Sequence, residues 1–463
     1  MRPPQPCRVG VRSALATITL RRVSTAIAET ERPATPRQVL AWGLWDWGTS
    51  GFNSVILTFV FSVYLTKKVG DDLPGSISAT SWLSWSIGIA GLVIALLAPV
   101  SGQRFDAAGR RKQSLAILTA LTVMSVAAMF FVEDSYQYLW LGLALLGFAS
   151  VTAELATVPY NAMLTQLSTP SNIGRLSGFG WAMGYFGSIF LLVFCYFGFI
   201  AGEGTERGFF AIETTDGLNI RTVALVVAVW MAVFVMPVFF AVPEPTIPKN
   251  ADPGAAEAGY IESYKVLWRD VRELWDEDRR TVYYLVASAL FRDGLAGIFT
   301  FGGVLAATVY GLSAADVLLF GIAANVVAAL GSIIAGRFDD KYGPKSVILT
   351  SLVGLVAIGF VLIMVSGHLM FWIFGLMMCT FVGPAQASAR TYLAKLAPPG
   401  REGQLFGLYT MTGRAVSFLS PALFGLFVYL FAADRAGIVG LMIVLAGGAA
   451  AMWFVREPSE VAA

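Results

Sequence analysis

Five ionisable side chains stand inside stretches otherwise too apolar to hold them: Asp46, Glu154, Arg292, Asp293 and Arg414. A charge at the centre of a bilayer costs about 2.5–3.5 kcal/mol on insertion scales, so such residues pair with one another, line a watery path, or do both. Their chemistry is ligand binding and proton transfer. Asp46, Thr49, Ser50 and Asn53 recur at i, i+3, i+4 and i+7, which puts a carboxylate, two hydroxyls and an amide on one helical face. Asp46 lies about 10 Å along that helix. The alternative for it is a carboxylate favoured by the helix dipole, with Trp42, Trp45 and Trp47 at the interface. Glu154 shares its face with Thr157 and Asn161, and Pro159 is a kink source. Arg292, Asp293 and Arg414 each fall about ten residues into an apolar run. The alternative for the deep charges is structural pairing, for example Arg292 with Glu154. Arg390 is close enough to Lys395 for its side chain to snorkel to water, and is set aside.

Other chemistries are poorly served. The three cysteines are widely spaced, so neither a disulfide framework nor a zinc site is expected. One histidine, His368, argues against His-ligated metals and His-based nucleophilic catalysis. No glycine precedes a lysine, so there is no Walker A loop and no internal use of ATP is expected. The net charge is +2, which gives no global field for nucleic acid. Neither enzyme activity nor a cofactor is expected. Nothing resembles a channel selectivity filter.

The 463 residues are 56% hydrophobic and 13% charged, about half the charge of an ordinary soluble domain. Twelve runs are long enough to cross a bilayer: about 39–65, 79–100, 114–132, 137–166, 176–199, 221–242, 282–310, 315–335, 346–366, 369–394, 404–431 and 436–455. With the N-terminus inside, cytosolic segments carry 24 Lys and Arg and the opposite side five. By the positive-inside rule both termini are cytosolic. The expectation is an all-α, multi-pass protein of the plasma (inner) membrane. Residues 38–242 and 281–456 would form two six-helix bundles, joined by a linker at 243–280 and followed by a cytosolic tail at 457–463. The linker opens with PEPTIPKNADPG. It continues with Tyr260, Tyr264, Leu267, Trp268, Val271, Leu274 and Trp275 at helical spacing. That predicts an amphipathic helix, lying either under the membrane face or on the protein's own surface. Residues 1–37 are rich in Arg, Pro, Ser and Thr, with no acid before Glu29. They read as a disordered cytosolic tail or as residues upstream of a later start, though a transit peptide has the same composition.

The second half echoes the first. GQRFDAAGRRK (102–112) matches GRFDDKYGPK (336–345), so that Gly102, Asp106 and Gly109 align with Gly336, Asp340 and Gly343. VPYNAML (158–164) aligns with VGPAQAS (382–388), and GRLSGFGW (174–181) with GQLFGLYT (403–410). Parallel repeats of this kind place a substrate site between the halves near the midplane, with access alternating by rocking. Asp106 can accept backbone N–H bonds or pair with an arginine, while Arg110 and Arg111 sit at headgroup level. The alternative is a basic loop that only fixes topology. Gly174, Gly178, Gly180, Gly184 and Gly187 follow no strand, so they read as close helix packing and not as a nucleotide fingerprint.

These residues resemble the major facilitator superfamily, whose best-known signature is the Gly-x-x-x-Asp-x-x-Gly-Arg-Arg/Lys loop after span 2, echoed after span 8. The resemblance covers about residues 38–456. More narrowly, the chain resembles the ultra-major-facilitator branch that includes the vacuolar amino-acid effluxers linked to autophagy. The residues that carry this are Asp46 to Phe52, Pro159-Tyr160-Asn161, Ser177 to Tyr185 and Asp293-Gly294. The chain departs from the branch at Thr49, where an Asn stands, and at Gly48 and Gly51, where alanines stand. The resemblance implies the fold of two pseudo-symmetric six-helix bundles. It also implies a gate of Gly102, Asp106, Gly109, Arg110, Arg111, Gly336, Asp340 and Gly343 that latches the halves on the cytosolic side. The expected function is secondary active transport of a small polar solute, an amino acid first. Proton coupling would run through Asp46, Glu154 or Asp293, and Arg292 and Arg414 would hold an anionic group. A sugar/cation symporter and a transporter-like sensor are the alternatives.

Overall fold

A computed structural model describes residues 34–200, 207–244 and 260–456. The calls on the N-terminal tail before residue 34, on most of the polar start of the linker and on the C-terminal tail lie outside the described residues. Within them, twelve helices are long and apolar enough to cross a membrane: Pro36–Val69, Ala79–Ala108, Arg111–Phe131, Tyr136–Leu167, Ile173–Ile200, Thr215–Ala241, Arg279–Thr308, Leu319–Tyr342, Pro344–Met364, His368–Leu396, Glu402–Phe431 and Asp434–Phe454. They are spans 1 to 12 below.

Local chemistry sets the helix ends. Thr35 caps span 1 in a reciprocal box with Gln38, and Pro36 occupies the first turn, where its missing N–H costs nothing. The helix of span 8 starts with the same device, Ser313 with Asp316. Gly109 ends span 2 with φ 60°, a left-handed cap that glycine adopts without strain. Span 1 passes into a π-helical stretch at Phe52–Phe59, which takes in Asn53, the last residue of its polar face. Such wide turns cluster at functional positions, because they re-aim side chains.

The face that carries the two Gly-x-x-x-Asp loops is called the basic face here. On it the halves meet along two seams, span 2 against span 11 and span 5 against span 8. Glycines make this approach possible. A Cβ on Gly102 would strike the Gly403 carbonyl, and one on Gly407 the Ala98 carbonyl. Across the other seam a Cβ on Gly178 would strike the Ser332 carbonyl, and Gly174 and Gly336 shelter each other's main chain. The glycines of span 5 divide between two jobs. Gly174 and Gly178 face span 8, while Gly180, Gly184 and Gly187 receive Trp42, Ser50 and the Trp47 backbone of span 1.

The linker forms the expected helix, Tyr260–Glu277. It packs on the protein: Ser263, Leu267 and Asp270 are buried, and the Tyr264 hydroxyl donates to the Leu96 carbonyl of span 2. Trp268, 67% exposed, stands on the outer side.

Candidate functional site

Three polar layers lie between the halves. The outermost is a cavity lined by Asp46, Thr49, Ser50 and Asn53 from span 1, Thr119 and Thr122 from span 3, Ser150, Glu154 and Thr157 from span 4, and Arg414 from span 11. The space between them is about 620 Å³, including its open mouth. Span 1 therefore turns its whole predicted polar face to this space. Glu154 Oε2 accepts from Arg414 Nη2 at 2.8 Å across the halves, with the two side chains 29% and 35% exposed. This pair is wet, and each partner keeps unused hydrogen-bonding capacity. Several hydroxyls are turned back to their own helices: Thr49 donates to the Trp45 carbonyl at 2.9 Å and Thr157 to the Glu154 carbonyl at 2.7 Å. That leaves their lone pairs free to accept.

Beneath the cavity, towards the basic face, lies a dry layer centred on Arg390. The expectation that Arg390 snorkels to water is wrong: it is 5% exposed and points inward. Its guanidinium donates to Asn161 Oδ1 at 3.2 Å, Ser177 Oγ at 3.0 Å and the Ser177 carbonyl at 2.6 Å, and it lies 3.6 Å from Asp46 Oδ2. The rings of Trp42 and Trp181 flank it at 5.1 and 5.6 Å. Tyr160 donates to Asp46 at 3.0 Å and stacks between Trp42 and Trp45, with ring centroids 4.8 and 4.1 Å away. A planar fork with five donors suits such a site, where a lysine has only a point charge to offer. Asp46 thus belongs to both layers: it borders the cavity and anchors a cation from the other half.

The third layer is the pair of seams. Asp106 accepts from the Gln404 backbone N–H at 2.9 Å and from Arg111 Nε at 2.8 Å, and Arg111 also binds Glu402. Across the second seam Asp340 accepts from the Gly174 N–H and from Arg175 Nε, both at 2.8 Å. The two motif aspartates therefore tie their own half to the opposite one, and the backbone donors come from spans 11 and 5. Arg110 is exposed, and of the two motif arginines it is Arg111 that joins the network. Asp270 of the linker helix accepts from Gln404 Nε2 at 3.0 Å, which joins that helix to the same seam.

Two expected site residues lie elsewhere. Asp293 is buried and accepts from the Ser420 N–H at 2.7 Å, where the helix of span 11 is interrupted. Arg292 donates to the Tyr409 carbonyl at 3.0 Å and stacks on the Tyr409 ring at 3.7 Å. Both are satisfied within their own half and neither lines the cavity. The pairing of Arg292 with Glu154 is corrected as well, since Glu154 takes Arg414. Asn161 faces Arg390 and not the cavity. Residues that the sequence reading passed over include Arg390, Trp181, Ser177, Arg175, Glu402 and Gln404. Arg175, Ser177 and Trp181 stand inside the motif at 174–181, and Gln404 inside its counterpart at 403–410. Arg390 was masked by its nearness to Lys395.

A twelve-helix membrane protein built as two bundles around a shared polar cavity is a transporter of the major facilitator type. The family model described as "Vacuole effluxer Atg22 like" matches residues 34–461, and the chain belongs to this family. The MFS-type transporter YxiO of Bacillus subtilis is 24% identical over 427 residues, 92% of this chain and 96% of that protein. Autophagy-related protein 22 of Cryptococcus neoformans is 24% identical over 58% of this chain, which spans about half (50%) of that relative's length. Among solved structures, the proton:xylose symporter XylE superposes with a TM-score of 0.67 at 16% identity, covering 91% of this chain and 96% of that one. The transporter FucP gives 0.66 at 12% identity, covering 91% and 99%.

Proposed function

We propose that the chain is a proton-coupled secondary transporter of amino acids, working by alternating access. It would sit in the plasma membrane with the basic face and both termini in the cytosol. In this arrangement the cytosolic side is shut by both seams and the cavity faces away from it. The observation that carries the reading is the Glu154–Arg414 pair. One acid and one base, from opposite halves, meet inside a partly open cavity. An α-amino acid brings an ammonium and a carboxylate at a similar spacing, so it can exchange the protein's ion pair for two of its own. Binding then changes what holds the halves together, which is the coupling that alternating access needs. The aspartates named for gating act as the latch, with Arg111, Arg175, Glu402 and Gln404 as their partners. The Atg22-like family membership supports the class of solute.

The hydroxyls and Trp45 around the cavity would also suit a sugar, and the test separates the two. A thermal-shift screen of the purified protein against amino acids, sugars and organic acids at two pH values is expected to give stabilisation by amino acids. Saturable counterflow of the hit in liposomes would then establish movement and set aside a binding-only sensor. Stabilisation by sugars alone would end the amino-acid reading.

A further inference from the structure

The residue beside the second motif aspartate has no role in the latch. Asp339, near the end of span 8, is 0% exposed. Its Oδ1 accepts the Ser388 hydroxyl at 2.7 Å, and its buried Oδ2 has no hydrogen-bond partner among the described residues. The polar groups around it come from four helices. Span 10 brings Ser388, Thr391 and, farther off, Lys395; span 8 brings the acid Asp340. Span 7 brings Tyr284, whose hydroxyl is spent on the Ala389 carbonyl at 2.6 Å. Span 5 lays the Gly174 backbone over it, so close that a Cβ on Gly174 would strike the Cβ of Asp339. The one cation of span 5 at this seam, Arg175, is taken by Asp340.

Of the other acids at the cavity and the seams, Asp46, Asp106, Glu154 and Asp340 each have an arginine beside them, and Asp293, buried without one, accepts a main-chain amide. Asp339 has the Ser388 hydroxyl on Oδ1, the Thr391 hydroxyl beside it, Lys395 farther off, and no ion pair among the described residues. An ionised carboxylate held out of water without a cation costs several kcal/mol, and such a group takes up a proton instead. Thr391, whose own proton goes to the Ala387 carbonyl at 3.1 Å, keeps lone pairs to accept that O–H. The repeat makes the feature specific. By the alignments above, the first half has Phe105, Leu164 and Leu167 where the second has Asp339, Ser388 and Thr391. One half fills this place with hydrocarbon, and the other builds a carboxyl with two hydroxyls.

We propose that Asp339 is a proton-linked residue of the transport cycle: it takes a proton from water at the basic face as spans 5 and 8 close over it, holds it while they stay closed, and returns it to water when they part. This rests on the proton-coupled reading above. Opening the seam lifts Gly174 away and admits water. The Oδ2–H bond breaks, the proton passes to a water molecule, and the carboxylate left behind is met by Lys395 and by Arg175, which is released as its pair with Asp340 comes apart.

The test uses the full chain in liposomes, spin-labelled at Ser171→Cys and Tyr342→Cys across the span 5–span 8 seam. The closed-distance population is expected to fall with rising pH, by at most about tenfold per pH unit for one linked proton, and to be flat in Asp339→Asn. The infrared band of a protonated buried carboxyl should vanish in Asp339→Asn and persist in Asp46→Asn, Glu154→Gln and Asp293→Asn. If Asp339→Asn does not fold, Ser388→Ala serves: removing the donor to Oδ1 should shift that band and leave the other carboxyls unmoved. An unchanged pH response and an unchanged band in these variants would overturn the assignment. Uptake of a mixture of the twenty amino acids, read by mass spectrometry, separates the two levels. A pH gradient that drives wild type and Asp339→Asn equally keeps the coupling and removes Asp339 from it. A gradient that drives neither, with the label response still lost in Asp339→Asn, removes the coupling and leaves only a pH-sensitive seam.

Discussion

At the scale of single residues, two arginines from the second half are spent in opposite ways. Arg414 reaches a carboxylate in a wet cavity, where a pair contributes about 0–1 kcal/mol because water competes for both partners. Arg390 is sealed in a dry layer, where removing one partner costs about 3–5 kcal/mol. Their substitutions should separate function from stability. Arg414→Gln and Glu154→Gln are expected to lower solute counterflow at least about tenfold, the equivalent of about 1.4 kcal/mol of lost binding, while the thermal midpoint in detergent barely moves. Arg390→Met is expected to lower that midpoint strongly. Arg390→Lys should recover little of it, because an ammonium cannot satisfy Asn161, Ser177 and Asp46 in one plane while packed between two indoles. Equal destabilisation by the Arg414 and Arg390 variants would show that the two layers do not differ as described.

At the scale of elements, the seams depend on helices whose backbones nearly touch. Gly178→Val places a side chain against the Ser332 carbonyl. The expected result is loss of the closed basic face and a severalfold rise in thiol labelling of a cysteine placed at Ser332. Gly88→Val is the control, since a Cβ there meets open space. The linker helix offers a second handle. Asp270→Ala frees Gln404 from one of its two partners, Asp106 and Asp270, and is expected to raise labelling at the span 2–span 11 seam while leaving the other seam unchanged. How much of this could be read from the sequence depends on what each signal reports. Hydrophobic length reports lipid contact, so the spans were legible. The i, i+3, i+4, i+7 pattern reports a face, so the lining of the cavity by span 1 was legible as well. Which acid meets which base depends on where helices distant in sequence cross, and no spacing within one helix encodes that. Arg390 was misread for this reason: its neighbours along the chain offer water, but its neighbours in space offer three acceptors and two rings.

At the scale of the whole molecule, the repeat predicts a symmetric frame, and the frame is used asymmetrically. The cavity takes its wall from the first half apart from Arg414, while the buried carboxyl–hydroxyl cluster belongs to the second. The described state, with both seams closed, sets an accessibility pattern. In right-side-out vesicles, a cysteine at Asn53 should react with a membrane-impermeant thiol reagent, and one at Ser177 should not. Cys195 and Cys379 are buried and should give little background, and Cys7 is replaced by serine in these variants. Protection of both in right-side-out vesicles, with labelling of Ser177→Cys in inside-out vesicles, would mean that the cavity opens to the other side.

The break in span 11 has a mechanical consequence. Its main-chain ladder is cut between Val416 and Leu419, and the amide left over at Ser420 is held by a side chain of span 7. Flexing at this joint leaves the ladders on either side intact, so the short distal rod Leu419–Phe431 can tilt at little cost in main-chain hydrogen bonds. Arg414 stands one turn before that joint, so the half of span 11 that reaches the cavity and the half beyond the break need not move together.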